Sequence, residues 1–226
     1  MLMEIEEYGR ARILKPSFED DELSAVDELD GAGSLTDFEY ADKSVRHLIV
    51  ADTTLSGGRL RQIEAERVTF SQVTLQSIVI NRCVLMSSDW MDGVMSRVVF
   101  RDCKILGANF VDNMWSNVVF DNCRIEYATF DSIRASTPVV FVDSRFKEVR
   151  FQRSELPGGH MSGCTLDAVE FDGGTYTDFD FRRTDLSTIR GAGNLNGILI
   201  DVVQRQELAE ALVSELDLRY AEGDDG

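Results

Sequence analysis

Two histidines are all that 226 residues provide, and His47 and His160 occupy unrelated positions in the pattern of the chain. Histidine does much of the proton transfer and metal ligation that proteins perform near neutral pH. An enzyme built on that chemistry is disfavoured, and no cofactor or metal is expected. Long apolar runs are missing too. None reaches the roughly 20 residues that span a bilayer, and the acidic N-terminus is no secretory leader, so the expectation is a cytoplasmic protein without a membrane partner. Basic surplus is absent: 23 Lys and Arg face 40 Asp and Glu, for a net charge of −17. Direct nucleic-acid binding, which needs clustered cations for phosphate contacts, is not expected. Gly57-Gly58 and Gly158-Gly159 do not open a helix after a strand at the spacing of a phosphate loop.

What is present is a period of five. From Leu35 to Phe130 every fifth residue is apolar, twenty positions without a miss, including Tyr40, Val50, Leu60, Phe70, Ile80, Trp90, Phe100, Phe110 and Phe120. In a chain that is 43% hydrophobic, chance gives odds on the order of 10⁻⁷. Five matches neither helix nor plain strand, so it announces a repeat architecture.

Inside it lies a period of twenty. Val98-Val99-Phe100-Arg101-Asp102-Cys103-Lys104-Ile105 is followed by Val118-Val119-Phe120-Asp121-Asn122-Cys123-Arg124-Ile125. Four quintets per twenty residues imply a square coil with one quintet per side and equivalent residues stacked in four internal columns. One column holds Trp90, Phe110, Phe130, Phe151 and Phe171. The position two before each large residue shares its face and is often small, as at Ser88, Cys103, Ala108 and Ala128. Cys83, Cys103, Cys123 and Cys164 fall in one such column, with Ser144 at the missing rung. Side chains stacked in parallel are poorly aimed for disulfides, so these read as buried thiols in a reducing compartment.

The quintets Ala108-Asn109-Phe110, Ser88-Asp89-Trp90, Phe179-Asp180-Phe181 and Thr184-Asp185-Leu186 resemble the pentapeptide-repeat family: small residue, Asp or Asn, Leu or Phe, then two variable residues. The resemblance covers roughly residues 33–200. It implies an all-β fold, a right-handed quadrilateral β-helix of about eight coils, here with a C-terminal α-helical cap. Some relatives in the family protect or inhibit DNA gyrase, and some end in a helix that joins two rods tail to tail.

The frame slips twice. One residue is gained near Arg134-Ala135-Ser136-Thr137-Pro138, where proline suits an interrupted ladder, and one is lost near Gly191-Ala192-Gly193. The organisation expected is an acidic N-terminal cap segment (1–32), the β-helix (33–200), a capping and dimerisation helix (201–218) and a disordered acidic tail (219–226). Within the first, Ser17 is positioned to cap an acidic helix reaching about residue 29. Within the third, Leu208, Leu212 and Leu216 form a stripe at helical spacing, on a helix over about 203–216.

Charge is concentrated at the ends. Residues 1–30 carry ten acids against three bases, while 31–200 carry twenty-two against eighteen. Lys104, Arg124 and Arg145 form a basic column beside Asp102, Asn122 and Asp143, read as a cross-coil charge ladder. His160, just before an inward Met161, is expected to lie solvated on the surface.

More informative are apolar residues at outward positions. Val79, Val99, Val119 and Val140 form an external column where the family usually carries Asp or Asn, and Met91 with Val111 and Val94 with Met114 add two-rung patches. β-Branched residues stacking on their vertical neighbours account for such a column; the alternative is a face for a protein partner. The function expected is a non-catalytic scaffold acting through protein–protein interaction, with a homodimer through the C-terminal helix. The alternative is a DNA-mimicking modulator of DNA gyrase, its carboxylates taking the place of phosphates.

Overall fold

The computed structural model describes residues 4–29, 33–216 and 218. From Ser34 onward the chain winds as a four-sided β-solenoid in which parallel ladders join each turn to the next. The N-terminal turns are β4 (Ser34–Ala51) and β5 (Thr54–Ser71), paired Leu35 to Leu55, Tyr40 to Leu60 and Val50 to Phe70. The step of twenty continues with Ile80 against Phe100 and Phe100 against Phe120. There are about seven turns, against the eight counted from the sequence. The last coil is held by isolated bridges such as Glu155 to Thr175 and Asp180 to Leu199.

Corners explain the quintet. Two residues beyond each inward side chain the backbone takes the left-handed conformation, as at Asp92 (φ 52°), Asp102 (φ 55°), Asp112 (φ 53°) and Asn122 (φ 50°). Asp and Asn reach that region at lower cost than other non-glycine residues, so they recur there. Tyr127 (φ 55°) and Arg153 (φ 48°) show that stacking between coils imposes the corner on less suited residues.

The columns form the core. Phe70, Trp90, Phe110, Phe130, Phe151 and Phe171 make one continuous pile of rings, with successive centroids 4.3, 5.5, 5.0, 4.8 and 5.2 Å apart. Phe100, Phe120 and Phe141 make a second at 4.6 and 5.2 Å. Each buried Phe contributes about 2–3 kcal/mol by area alone, and offset stacking adds about 0.5–1.5 kcal/mol per pair. The small column is tied to the backbone of the preceding turn. Cys103 Sγ donates to the carbonyl of Ile80 (3.3 Å) and Cys123 Sγ to that of Phe100 (3.4 Å). Ser144 Oγ (3.3 Å, to Phe120) and Cys164 Sγ (3.5 Å, to Phe141) continue the series. All four cysteines are free and buried.

Both slips lie where the frame places them. Trp115 pairs with Ala135 but Val118 with Val139, so the extra residue lies among Ser136, Thr137 and Pro138. Thr137 Oγ1 repairs the break by accepting the Asn117 N–H at 2.7 Å. The second slip falls between the bridges Glu170 to Arg190 and Asp180 to Leu199, across the short 3₁₀ turn Ala192–Asn194.

The two ends depart from expectation. The acidic helix expected from Ser17 is absent. In its place, β1 (Ile5–Tyr8) and β2 (Ala11–Leu14) form an antiparallel hairpin, and β3 (Ser24–Ala25) adds a parallel rung to β4 opposite Phe38 and Glu39. Extended chain wins here because it satisfies the open ladder of β4 and sets Asp20 and Asp27 each against a base. Asp20 meets Arg59 at 2.5 Å, and Asp27 meets Lys43 at 2.6 Å. Packed into one helical turn, residues 19–22 would repel one another.

At the other end α1 (Gln204–Ser214) covers the last coil. Polar side chains on it and at its C-cap take the place of a further strand. Gln204 Nε2 donates to the carbonyls of Phe181 (2.9 Å) and Thr184 (2.6 Å), while Glu207 and Glu215 accept the N–H groups of Leu186 (3.1 Å) and Ala192 (3.0 Å). The acidic tail expected at 219–226 lies outside the described residues.

Candidate interaction surfaces

The outward position one before each inward residue is a single stacked column: Glu39, Arg59, Val79, Val99, Val119, Val140, His160, Asp180. Read as a free docking face, the valine part of it needs correction. Val99 (8% exposed), Val119 (2%) and Val140 (0%) are buried, and Val79 is half-buried. Their cover is the chain's own hairpin: Ala11 and Ile13 of β2 point onto them, with Tyr8 and Val142 packed at the margin. Stacked outward valines do mark an interface, and the partner is in the same chain.

Each part of the N-terminal segment meets one stretch of that column. Ala25 pairs with Glu39. Asp20 and the Phe18 ring engage Arg59, the ring 5.9 Å from the guanidinium. The hairpin covers the valines, and Leu14 N–H donates to Asn117 Oδ1 at 2.9 Å. The hairpin's turn lies on His160. Gly9 has φ 57°, and a Cβ there would stand 2.8 Å from His160 Cε1 and 3.3 Å from Asp180 Oδ2. Glycine is required twice, for the left-handed turn and for the close approach.

His160 is on the outward face, as the frame requires, but under Gly9 it is buried rather than solvated. It borders a cleft of about 310 Å³ shared with Gly9, Ser162, Asp180, Arg182, Arg183 and Asp201. Its Nδ1 is 3.6 Å from Asp180 Oδ2 and has no hydrogen-bond partner. Burial pushes the imidazole below its ordinary pKa, outweighing the opposite pull of Asp180. Burial alone would raise the Asp180 carboxyl, but Arg182, bonded through Nε at 2.9 Å and Nη2 at 2.7 Å, holds it below the usual carboxylate range.

The methionine–valine corner stays open. Met91 pairs with Val111 and Val94 with Met114 on consecutive turns. Met91, Val94 and Met114 are exposed, Met114 at 59%, and Val111 is half-buried. Met86 and Leu106 are likewise in register along the coil.

On α1 the leucine stripe divides. Leu208 packs against the core and Ala211 is fully buried, whereas Leu212 and Val213 are exposed, as is Leu216, which lies just past the end of the helix.

The basic column stacks as expected, Lys104 on Arg124 on Arg145, but Arg124 pairs along its own strand with Glu126. The cross-coil ladder uses other residues: Arg101 to Asp121 (2.8 Å), Arg150 to Glu170 (2.8 Å) and Arg153 to Asp131 (2.5 Å). Asn122 does reach Asp102 across the coils, at 2.7 Å. Among the described residues no group of three or more His, Cys, Asp or Glu side chains is placed to hold a metal, and no helix is long and apolar enough to cross a membrane.

No family model matches the sequence, and no curated protein matches it. Solved structures do resemble the fold. A trypsin-treated form of QnrB1, described as a plasmid-mediated fluoroquinolone resistance protein, superposes with a TM-score of 0.50 at 17% identity, over 76% of this chain and 98% of that one. Full-length QnrB1 gives 0.49 at 14% identity, over 75% and 99%. HetL of the cyanobacterium Nostoc sp. strain PCC 7120, a pentapeptide repeat protein involved in heterocyst differentiation regulation, gives 0.33 at 10% identity, over 74% and 84%. With its five-residue frame, left-handed corners and twenty-residue register, the chain has the fold of the pentapeptide-repeat proteins, a right-handed, four-sided β-helix.

Proposed function

We propose that this chain is a non-catalytic cytoplasmic scaffold that binds another protein on the outside of its coil. The observation that carries the reading is the corner of Met91, Val94 and Met114, all exposed, with half-buried Val111: apolar and in register on two consecutive turns of a rigid rod. Contiguous exposed apolar side chains of this kind mark interaction sites, and methionine adapts to the surface it meets. The four buried, unpaired thiols suit a reducing compartment. A photo-crosslinking residue at Val111 should trap a discrete protein in cells. Met91→Asp with Met114→Asp should abolish the adduct, and an undiminished adduct would remove this corner from the reading.

A second reading is modulation of DNA gyrase, the kind of role that the quinolone-resistance description of QnrB1 brings to mind. Its support is the net charge of −17 on an elongated coil. Against it, arginines tie down several carboxylates on the coil, among them Asp121, Asp131 and Glu170. Supercoiling by purified gyrase across a titration of the protein separates the two. Inhibition or drug protection that fades with added salt favours mimicry of DNA, and no effect leaves the scaffold reading standing. We extend the scaffold to a homodimer, joined through the outward face of α1.

A further inference from the structure

The hairpin and the face beneath it are built as a pair that can come apart. Ala11, Ile13, Val99, Val119 and Val140 form a hydrophobic cluster of their own, separate from the continuous core inside the coil. The solenoid's backbone ladders and aromatic columns pass under this cluster without using the hairpin. The hairpin in turn has only two strands of four residues, a unit of marginal stability by itself. Low-stability elements of this sort open locally while the rest of a fold stays closed.

We propose that the Val99–Val119–Val140 face is a docking seat for an amphipathic β-hairpin of a partner protein, and that the chain's own N-terminal hairpin is a displaceable occupant of that seat.

The seat specifies the chemistry of its ligand. The valine strip takes a small and a branched apolar side chain at alternate positions of one strand, as Ala11 and Ile13 show. Asn117 Oδ1 accepts the N–H next to the branched residue. The His160–Asp180 end leaves no room for a Cβ and so selects glycine at the turn. When the hairpin lifts it remains tethered, because Asp20 and Phe18 stay on Arg59 and β3 stays in the ladder. A partner then competes with an intramolecular ligand whose effective concentration is high, which keeps the seat closed to weak or ill-matched sequences. The inference rests on the scaffold reading for its purpose but uses a different surface from the Met91–Met114 corner, so either can fail alone.

The test uses the full chain and a fluorescent synthetic peptide of residues 4–15, the one ligand known to fit. Gly9→Ala lifts the internal hairpin without touching the seat, and hydrogen exchange of the amides of residues 5–14 reports the lift. The peptide is expected to bind Gly9→Ala at least tenfold more tightly than wild type, and to lose that gain when Val119→Asp is added. Where the hairpin stays protected in Gly9→Ala, Ile13→Asp serves as the lifted variant, and a hairpin that remains docked in both overturns the proposal. So does equal peptide binding to wild type and to a variant whose hairpin amides exchange freely. A wild-type dimer that Val119→Asp dissolves would assign the seat to a second copy of this chain, and overturns the assignment to a foreign partner.

Discussion

His160 lies directly beneath Gly9, so close that a single added methyl group on the glycine would stand 2.8 Å from the imidazole Cε1. The contact joins residues far apart in the sequence and couples the protonation of one to the docking of the other. The charged groups around that ring are Asp180, Arg182, Arg183 and Asp201. Docking holds the imidazole pKa below its ordinary value of 6.5 by burial. Once the hairpin lifts, burial is relieved while Asp180 remains, so the pKa rises and a proton favours the lifted form. The contribution of this contact is complete above about pH 6.5 and is lost as pH falls through the lower docked value. Hydrogen exchange of residues 5–14, corrected for intrinsic rates, should be several-fold faster at pH 5.5 than at pH 8. His160→Gln should flatten that dependence, and an equally steep one in the variant would assign it to other groups.

The aromatic pile predicts a large and local cost for truncation. Phe130 is sandwiched between Phe110 at 5.0 Å and Phe151 at 4.8 Å and is fully buried. Phe130→Ala should destabilise by about 3–5 kcal/mol, since the stacked coils cannot collapse into the hole. Urea unfolding with unchanged slope but lower midpoint checks it. Because each coil touches only its neighbours, exchange should accelerate most in the coils flanking Phe130.

The polar cap can be tested separately from the apolar one. Gln204 is buried and donates to two carbonyls of the last coil. Gln204→Ala should cost about 1–3 kcal/mol by taking from the Thr184 carbonyl its side-chain donor, while that of Phe181 keeps the Thr184 N–H at 3.1 Å, with proteolysis accelerated around residues 180–200 and unaltered near β4. Cleavage rising equally at both ends would mean that the helix does not act locally.

Thiol chemistry should be silent in the native protein. Burial pushes the Cys164 thiol up to about 12. Hydrogen bonding to Cys123, reinforced by burial, takes Cys103 up to about 12 as well. Neither offers a thiolate near neutral pH. An aromatic disulfide reagent should find no reactive thiol at pH 8 in the folded chain and four in denaturant. Rapid labelling without denaturant would contradict the buried column.

The proposed dimer has a simple signature. Leu212→Glu on the outward face of α1 with Leu216→Glu just past its end, both exposed, should halve the mass measured by light scattering while leaving the melting of the coil almost unchanged. A mass identical in wild type and variant would exclude this face as the joint.

Much of this architecture is legible in the sequence because the inner columns are local and repetitive: Phe100, Phe120 and Phe141 announce their stacking by spacing alone. Both slips are legible for the same reason, as breaks in a strict count. The strap is not. Its inward residues are two, Ala11 and Ile13, and they meet valines about ninety to one hundred and thirty places away. No periodicity connects positions so far apart. The valine column does signal an interface, but a sequence does not say whether the partner is foreign or the chain itself. At the C-terminus the leucine stripe draws attention to hydrocarbon, whereas an open ladder needs donors and acceptors, which Gln204, Glu207 and Glu215 supply.

The twenty-residue register makes the rod a ruler with fixed graduations. Its length can change only by whole turns of about 4.8 Å, because an insertion that is not a multiple of five carries inward side chains to the outside, and a multiple of five short of a full turn takes them out of their columns. A single surplus residue is tolerated at Ser136, Thr137 and Pro138, where it is stored at a corner, and the deficit near Ala192 cancels it before the cap is reached. Duplicating residues 94–113 should therefore lengthen the rod by one mark and carry the cap outward unchanged, giving a molecule graded in discrete sizes.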